Sequence, residues 1–272
     1  MDSANQEVWI GVDVGTTGVR AIAYTEEGTN VCSSEAFYPL LTPHPDWAEE
    51  SPLQIYEAIE QVVRKTADQL RYKNKELAGV ALSTVMHSFA GLDDMKEPLM
   101  DMQTWADSRS TGIVREMKKN PELCRSFYER TGCPIHACYP LAKIIWLREN
   151  QPELFKQMKY VGSLKDYIFY NMTGQWVIDK SAASTSGMYN EHTLDWDDEI
   201  LAYAGVTKDY MPPVVSTTYS HPLTDEAAAA MHLPKGLPVV IGATDGVLVN
   251  VGIGAVEPGQ LSGTIGTSLP PH

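Results

Sequence analysis

Two apolar runs near the start of this 272-residue chain, Val8–Val14 and Val19–Tyr24, are separated by only Gly15-Thr16-Thr17-Gly18. β-Branched residues cluster in both runs, and glycine and threonine fill the bend, so the spacing predicts neighbouring strands of a hairpin. Asp13 stands at the end of the first strand. Backbone N–H groups in such a bend can converge on one point and cradle phosphate oxygens, and an aspartate beside them can hold Mg²⁺ through water. The same residues suit an ordinary hairpin with a glycine where φ must be positive. Residues elsewhere in the chain decide between the two readings.

Val31–Phe37 continues the pattern as a third strand after a turn at Glu27-Gly28, which makes a meander. Ser51-Pro52 opens a helix: serine caps it, proline suits its first turn, and Ile55, Ala58, Ile59, Val62 and Val63 form one apolar stripe. Leu77–Ser83 reads as a buried strand, and the mixture predicts an α/β fold. From Ala106 to Gln157 the spacing is mostly helical, punctuated by Pro121, Gly132-Cys133-Pro134 and Pro152. Leu164–Met172 is a further helix ended by Thr173-Gly174. Val239–Thr244 reads as a buried strand, Asp245 begins a turn or helix, and Gln260–Ile265 reads as another strand.

A formal charge of −14 argues against general affinity for nucleic acid or anionic membranes, yet leaves local phosphate binding by backbone N–H groups open. The first residues lack the basic and apolar regions of a signal peptide, and Val239–Val256 is interrupted by Asp245, Asn250 and glycines. A buried strand and helix fit that stretch better than a membrane span. Cys32, Cys124, Cys133 and Cys138 show no metal-ligand spacing. A cytoplasmic globular protein is expected.

Three strand ends share a composition: Asp13-Val14-Gly15-Thr16-Thr17, Gly242-Ala243-Thr244-Asp245-Gly246 and Ser262-Gly263-Thr264-Ile265-Gly266-Thr267-Ser268. Phosphoryl transfer asks for cradled phosphates, a metal, and a carboxylate that orients or deprotonates the attacking hydroxyl. Two Gly/Thr turns and two strand-end aspartates supply those parts. Asp245 is the hardest to explain otherwise, because it interrupts an apolar run where an unpaired charge is expensive.

On these residues, and on Cys138-Tyr139-Pro140-Leu141-Ala142-Lys143-Ile144-Ile145-Trp146-Leu147-Arg148-Glu149-Asn150, the chain resembles the amino-terminal lobe of the FGGY family of carbohydrate kinases. That segment matches the family's first signature except at its opening residue, here Cys138. Met86-His87-Ser88, Trp105–Ser110, Thr131–His136 and Asp179–Ser184 are most similar to gluconokinases within the family. The resemblance implies a ribonuclease H-like (actin-like ATPase) fold, a mixed sheet with flanking helices. It implies ATP and Mg²⁺ as cofactors, a sugar or sugar acid (gluconate first) as substrate, and a homodimer in the full-length form. Asp245 would be the catalytic base and Asp13 the metal residue, with Gly15, Thr16, Thr17, Gly266 and Thr267 contacting ATP. Met86, His87, Trp105, Asp107, His136 and Cys138 would line the sugar site. For a gluconate carboxylate, His87, His136 and Arg109 are candidate partners.

Plainer roles stand beside these. Trp105 serves packing as readily as substrate contact, Trp146 reads as packing, and His87 suits a satisfied core histidine. Arg109 can pair with Asp107 on a solvated turn, and Asp107 can cap the following helix. The resemblance divides the chain into an amino-terminal lobe, 8–258, and the start of a second lobe, 259–272, with an atypical Leu269-Pro270-Pro271-His272 tail. Family members being about twice as long, little or no activity is expected of the chain alone. Xylulose, ribulose or glycerol kinases and a non-catalytic actin-like module are the alternatives.

Overall fold

The computed structural model describes residues 7–73 and 75–263. Its first three strands are β1 (Glu7–Val14), β2 (Gly18–Thr25) and β3 (Asn30–Phe37), paired antiparallel as a meander. They belong to a six-stranded sheet in the order Ser220–Pro222, Pro238–Thr244, Glu76–Thr84, β1, β2, β3. β1, Glu76–Thr84 and Pro238–Thr244 are mutually parallel neighbours, with Val14 opposite Thr84 and Thr84 opposite Thr244. Three carboxyl ends therefore finish level, at one edge of the sheet.

Alternation explains the sheet face. Val8, Ile10, Val12 and Val14 of β1 are all buried, as strand periodicity requires. Helix α1 (Pro52–Tyr72) packs across β2 and β3 through Ile55, Ile59, Val62 and Val63. Ser51 caps it by accepting from the Gln54 N–H at 3.4 Å. Truncating Ile55 or Ile59 to alanine is expected to cost about 2–5 kcal/mol. Helices Thr111–Met117, Pro121–Thr131, Pro140–Asn150 and Asp198–Ala204 enclose a second core around Ile144, Leu147, Trp196 and Ile200. All four cysteines are free, and no helix among the described residues is long and apolar enough to cross a membrane.

One irregularity shapes this edge of the sheet. The pairing of Pro238–Thr244 with Glu76–Thr84 slips between Val240 and Ala243. Gly242 sits in the slip with φ of +66°, and a Cβ there would lie 1.8 Å from the Leu82 carbonyl oxygen. Glycine is required twice over, by conformation and by space. Lys165, fully buried on helix Leu164–Thr173, donates to the carbonyls of Ile241 and Ala243, both at 2.9 Å, on either side of it.

Two expectations need correction. Helix Asp245–Gly252 forms, but no residue of it is buried, and Val247, Val249 and Val251 are exposed, so the apolar run from Val239 is a buried strand followed by an uncovered helix. Gln260–Gly263 is irregular rather than strand, and the remainder of that expected strand lies outside the described residues.

Gly236 also has a positive φ, +71°, but open space around it. Gly236→Ala is expected to cost about 1 kcal/mol and Gly242→Ala at least about 3 kcal/mol in urea unfolding. Equal losses would show that the Leu82 contact relaxes freely.

Candidate active site

The level strand ends bring Asp13 and Asp245 to the same edge, one strand apart. Strand spacing puts their backbones roughly 10 Å from each other. Ser83, on the strand between, donates its hydroxyl to Asp13 Oδ1 at 2.8 Å. Asp245 Oδ1 accepts from the Gly246 N–H at 2.7 Å, at the head of its helix. Burial raises the Asp245 carboxyl above its ordinary value, and the Asp13 charge pushes the same way, against Lys165 and the Gly246 N–H. A half-buried carboxylate of raised basicity is suited to taking a proton.

The bend after β1 is closed from inside. Gly15 N–H donates to the Gly18 carbonyl at 2.9 Å. Tyr38 donates its hydroxyl to the Gly15 carbonyl at 2.5 Å, and its N–H to the Thr17 carbonyl at 3.2 Å. The backbone N–H groups of Thr16 and Thr17 find no partner among the described residues. They border a hollow of about 170 Å³ shared with Asp13, Gly15 and Gly18. Free N–H groups beside a carboxylate suit phosphate oxygens and a hard cation.

Thr16 joins this hollow to a larger cavity of about 900 Å³, lined also by Met86, His87, Trp105, Asp107, His136, Cys138 and Asp245. Two walls of it are tied together by Lys143, fully buried on helix Pro140–Asn150. Its ammonium donates to the carbonyls of His87 and Thr104, both at 2.6 Å. Burial pulls this ammonium down to about 7 and that of Lys165 to about 8. His87 is held at φ of +66°, a left-handed conformation uncommon outside glycine. Its Nδ1 donates to the Thr185 carbonyl at 3.0 Å, and burial drives its pKa down to about 4. At neutral pH the ring is uncharged and Nε2 is a hydrogen-bond acceptor.

Trp105 is 40% exposed and donates its Nε1–H to Thr16 Oγ1 at 2.9 Å, linking the cavity to the bend. Met86 lies with Cε over Gly246, beside Asp245. His136 Nδ1 accepts from the Cys138 N–H at 3.2 Å, and the Cys138 thiol, raised by burial, lies 3.0 Å from the same nitrogen.

Asp107 lines the cavity as expected, but its carboxylate is already engaged. Its side chain has no exposed surface; Oδ2 accepts from Ala48 N–H and Arg109 Nη2, and Oδ1 from Arg109 Nε. The carboxylate braces the wall and is not offered to a ligand. Arg109 also pairs with Glu49 at 2.7 Å and stacks 3.6 Å over Trp47, so the pair is buried rather than on a solvated turn. Arg109, enclosed, and His87, uncharged, are both unavailable as cations for a substrate carboxylate. Trp146 packs edge-on to Trp47, as expected. Ser110, not Asp107, precedes helix Thr111–Met117 as its cap residue.

Gly266 and Thr267 lie outside the described residues. Among the described residues no cluster of three or more metal-ligating side chains exists. Mg²⁺ asks for only one or two carboxylates beside waters and phosphates; the exposed carboxylates at the hollow are Asp13 and Glu35, and Glu35 pairs with Arg20 at 3.3 Å. Lys143 and Lys165 escaped sequence reasoning about the site. Their signal was a lysine inside the apolar helical runs Leu141–Leu147 and Leu164–Ile168.

Two outcomes follow from the buried charges. Arg109→Met strands the Glu49 and Asp107 carboxylates and is expected to cost about 3–5 kcal/mol in urea unfolding. Glu50, fully buried with both carboxyl oxygens unpartnered among the described residues, is pushed by burial from 4.5 up to about 8. The fold holds that proton more tightly than the unfolded chain, so the associated stability is complete below about pH 4.5 and is lost as pH rises to about 8. Glu50→Gln is expected to flatten the decline of Tm over that range, and an unchanged profile would refute it.

The FGGY family of carbohydrate kinases, N-terminal domain, matches residues 8–252. The chain is 40% identical over 261 residues to a gluconokinase of Bacillus licheniformis, covering 95% of this chain and 50% of that protein. It is 28% identical to a xylulose kinase of Escherichia coli (strain K12) over 96% of this chain and 53% of that one. The gluconate kinase structure from Lactobacillus acidophilus superposes with a TM-score of 0.87 at 30% identity, over 92% of this chain and 50% of that one. A Plasmodium falciparum glycerol kinase with ADP shares the fold at 18% identity, with a TM-score of 0.88. The chain spans about half the length of these relatives. With the sheet order, the level strand ends and this match in hand, the chain belongs to the FGGY family of carbohydrate kinases and carries its actin-like ATPase fold.

Proposed function

We propose that this chain is the sugar-binding and base-bearing part of a kinase that moves the γ-phosphoryl group of ATP to the terminal hydroxyl of a sugar acid, gluconate first. The supporting observation is the placement of Asp245 in the same cavity as Met86, His87 and Trp105, with Thr16 shared between that cavity and the hollow at Asp13. Activity belongs to the length that the relatives have, of which this chain is about half.

In this reading the substrate lies along the Trp105 and Met86 surfaces, its hydroxyls donating to His87 Nε2 and to the Asp245 oxygen that Gly246 leaves available. Bringing hydroxyl and phosphate together removes most of the entropic barrier. The hydroxyl proton passes to Asp245 as the hydroxyl oxygen attacks the γ-phosphorus and the bond from that phosphorus to ADP breaks, ADP leaving. The Thr16 and Thr17 N–H groups would donate to phosphate oxygens, and Asp13 would hold Mg²⁺. Mg²⁺–ATP, when bound, supplies the phosphoryl group and screens its charge. Glucose-derived acids are favoured over xylulose by the higher likeness to gluconokinases, 40% against 28% identity.

Asp245→Asn, measured in the chain extended to its relatives' length, is expected to slow gluconate-dependent ADP release by about 10²–10⁴-fold. Gluconate affinity should change by no more than a few-fold. Because burial raises the Asp245 carboxyl, wild-type turnover should fall as pH drops through its raised value. Retained turnover in the variant removes Asp245 from this role, and preference for xylulose or glycerol in a substrate panel overturns the sugar acid.

A further inference from the structure

The cavity lining is chemically mixed. Asp245 and Thr16 belong to it, with Asp13 in the hollow that Thr16 shares, and helix Thr111–Met117 contributes Thr111 and Val114 and ends at Lys118, which also lines it. A ligand carrying a carboxylate cannot place it beside the two aspartates without like-charge repulsion, so its anionic end must point away from them. Among the described residues lining the cavity, Lys118 is the sole lysine or arginine. Its side chain is exposed, and no carboxylate among the described residues pairs with it; the neighbouring Glu116 is taken by Lys119 at 2.7 Å. Arg109, behind the wall, is neutralised by Glu49 and Asp107. His87 is uncharged at neutral pH. Arg115 and Lys119 are exposed on the same segment, but of these three cations Lys118 alone lines the cavity.

Resting on the kinase reading above, we infer that Lys118 recognises the carboxylate of an aldonic acid whose far hydroxyl faces Asp245, and so selects sugar acids over neutral sugars and polyols. A hydrogen bond between ammonium and carboxylate at a partly desolvated site is worth about tenfold in affinity. The remaining chain of the ligand offers only hydroxyls, which His87 and Asp245 serve equally in an acid or a polyol.

Calorimetric titration of the chain with gluconate and with glucitol, its uncharged counterpart, tests this. Lys118→Met is expected to weaken gluconate binding about tenfold and glucitol binding less than twofold, with Lys118→Arg restoring most of the loss. Raising sodium chloride should weaken gluconate binding by the wild type and leave glucitol unaffected, a readout that needs no variant. Equal losses for both ligands, or undiminished gluconate binding in Lys118→Met, would overturn the assignment while leaving the sugar-acid kinase intact. A wild-type chain that binds glucitol but not gluconate would overturn the sugar-acid reading and Lys118 with it.

Discussion

Everything in the cleft hangs on two ammonium groups held inside the protein. Lys165 binds the carbonyls on both sides of the Gly242 slip, and Lys143 binds those of His87 and Thr104. Each occupies acceptors that a slipped strand or a left-handed residue would otherwise leave bare in the interior, where an unmet carbonyl costs on the order of 1–3 kcal/mol. The first fixes where Thr244 ends and Asp245 begins; the second fixes the wall carrying Met86, His87 and Trp105. Burial lowers both ammonium pKa values, yet multiple carbonyl partners make the arrangement tolerable. Irregular backbone is thereby made rigid enough to present chemistry.

The hairpin, its bend, α1 and the parallel strands were legible because each is a local pattern of alternation, stripe or cap. β1 through β3 fall within a residue or two of the runs that predict them. The convergence of Asp13 and Asp245 was legible too, since both end apolar runs that join one sheet. Less visible was anything depending on a partner far along the chain. That Asp107 is enclosed follows from Arg109, Glu49 and the Ala48 N–H meeting at one point, which spacing alone does not show. Likewise the apolar run after Gly242 carries no mark separating a covered helix from an uncovered one; only neighbours decide that.

Neutral and charged groups are sorted across the site. The two aspartates repel each other, and Lys165 moderates them from below the sheet edge through the interior, where field is weakly screened. His87 and Cys138 remain uncharged at neutral pH, because burial lowers the imidazole and raises the thiol.

Trp105 gives its indole N–H to Thr16, so the surface on which a sugar would lie and the bend that would hold phosphate share one bond. Thr16 lines both the cavity and the hollow, so this one bond ties the position of a cavity wall to the shape of the bend, and neither side chain can change rotamer without the other losing its partner.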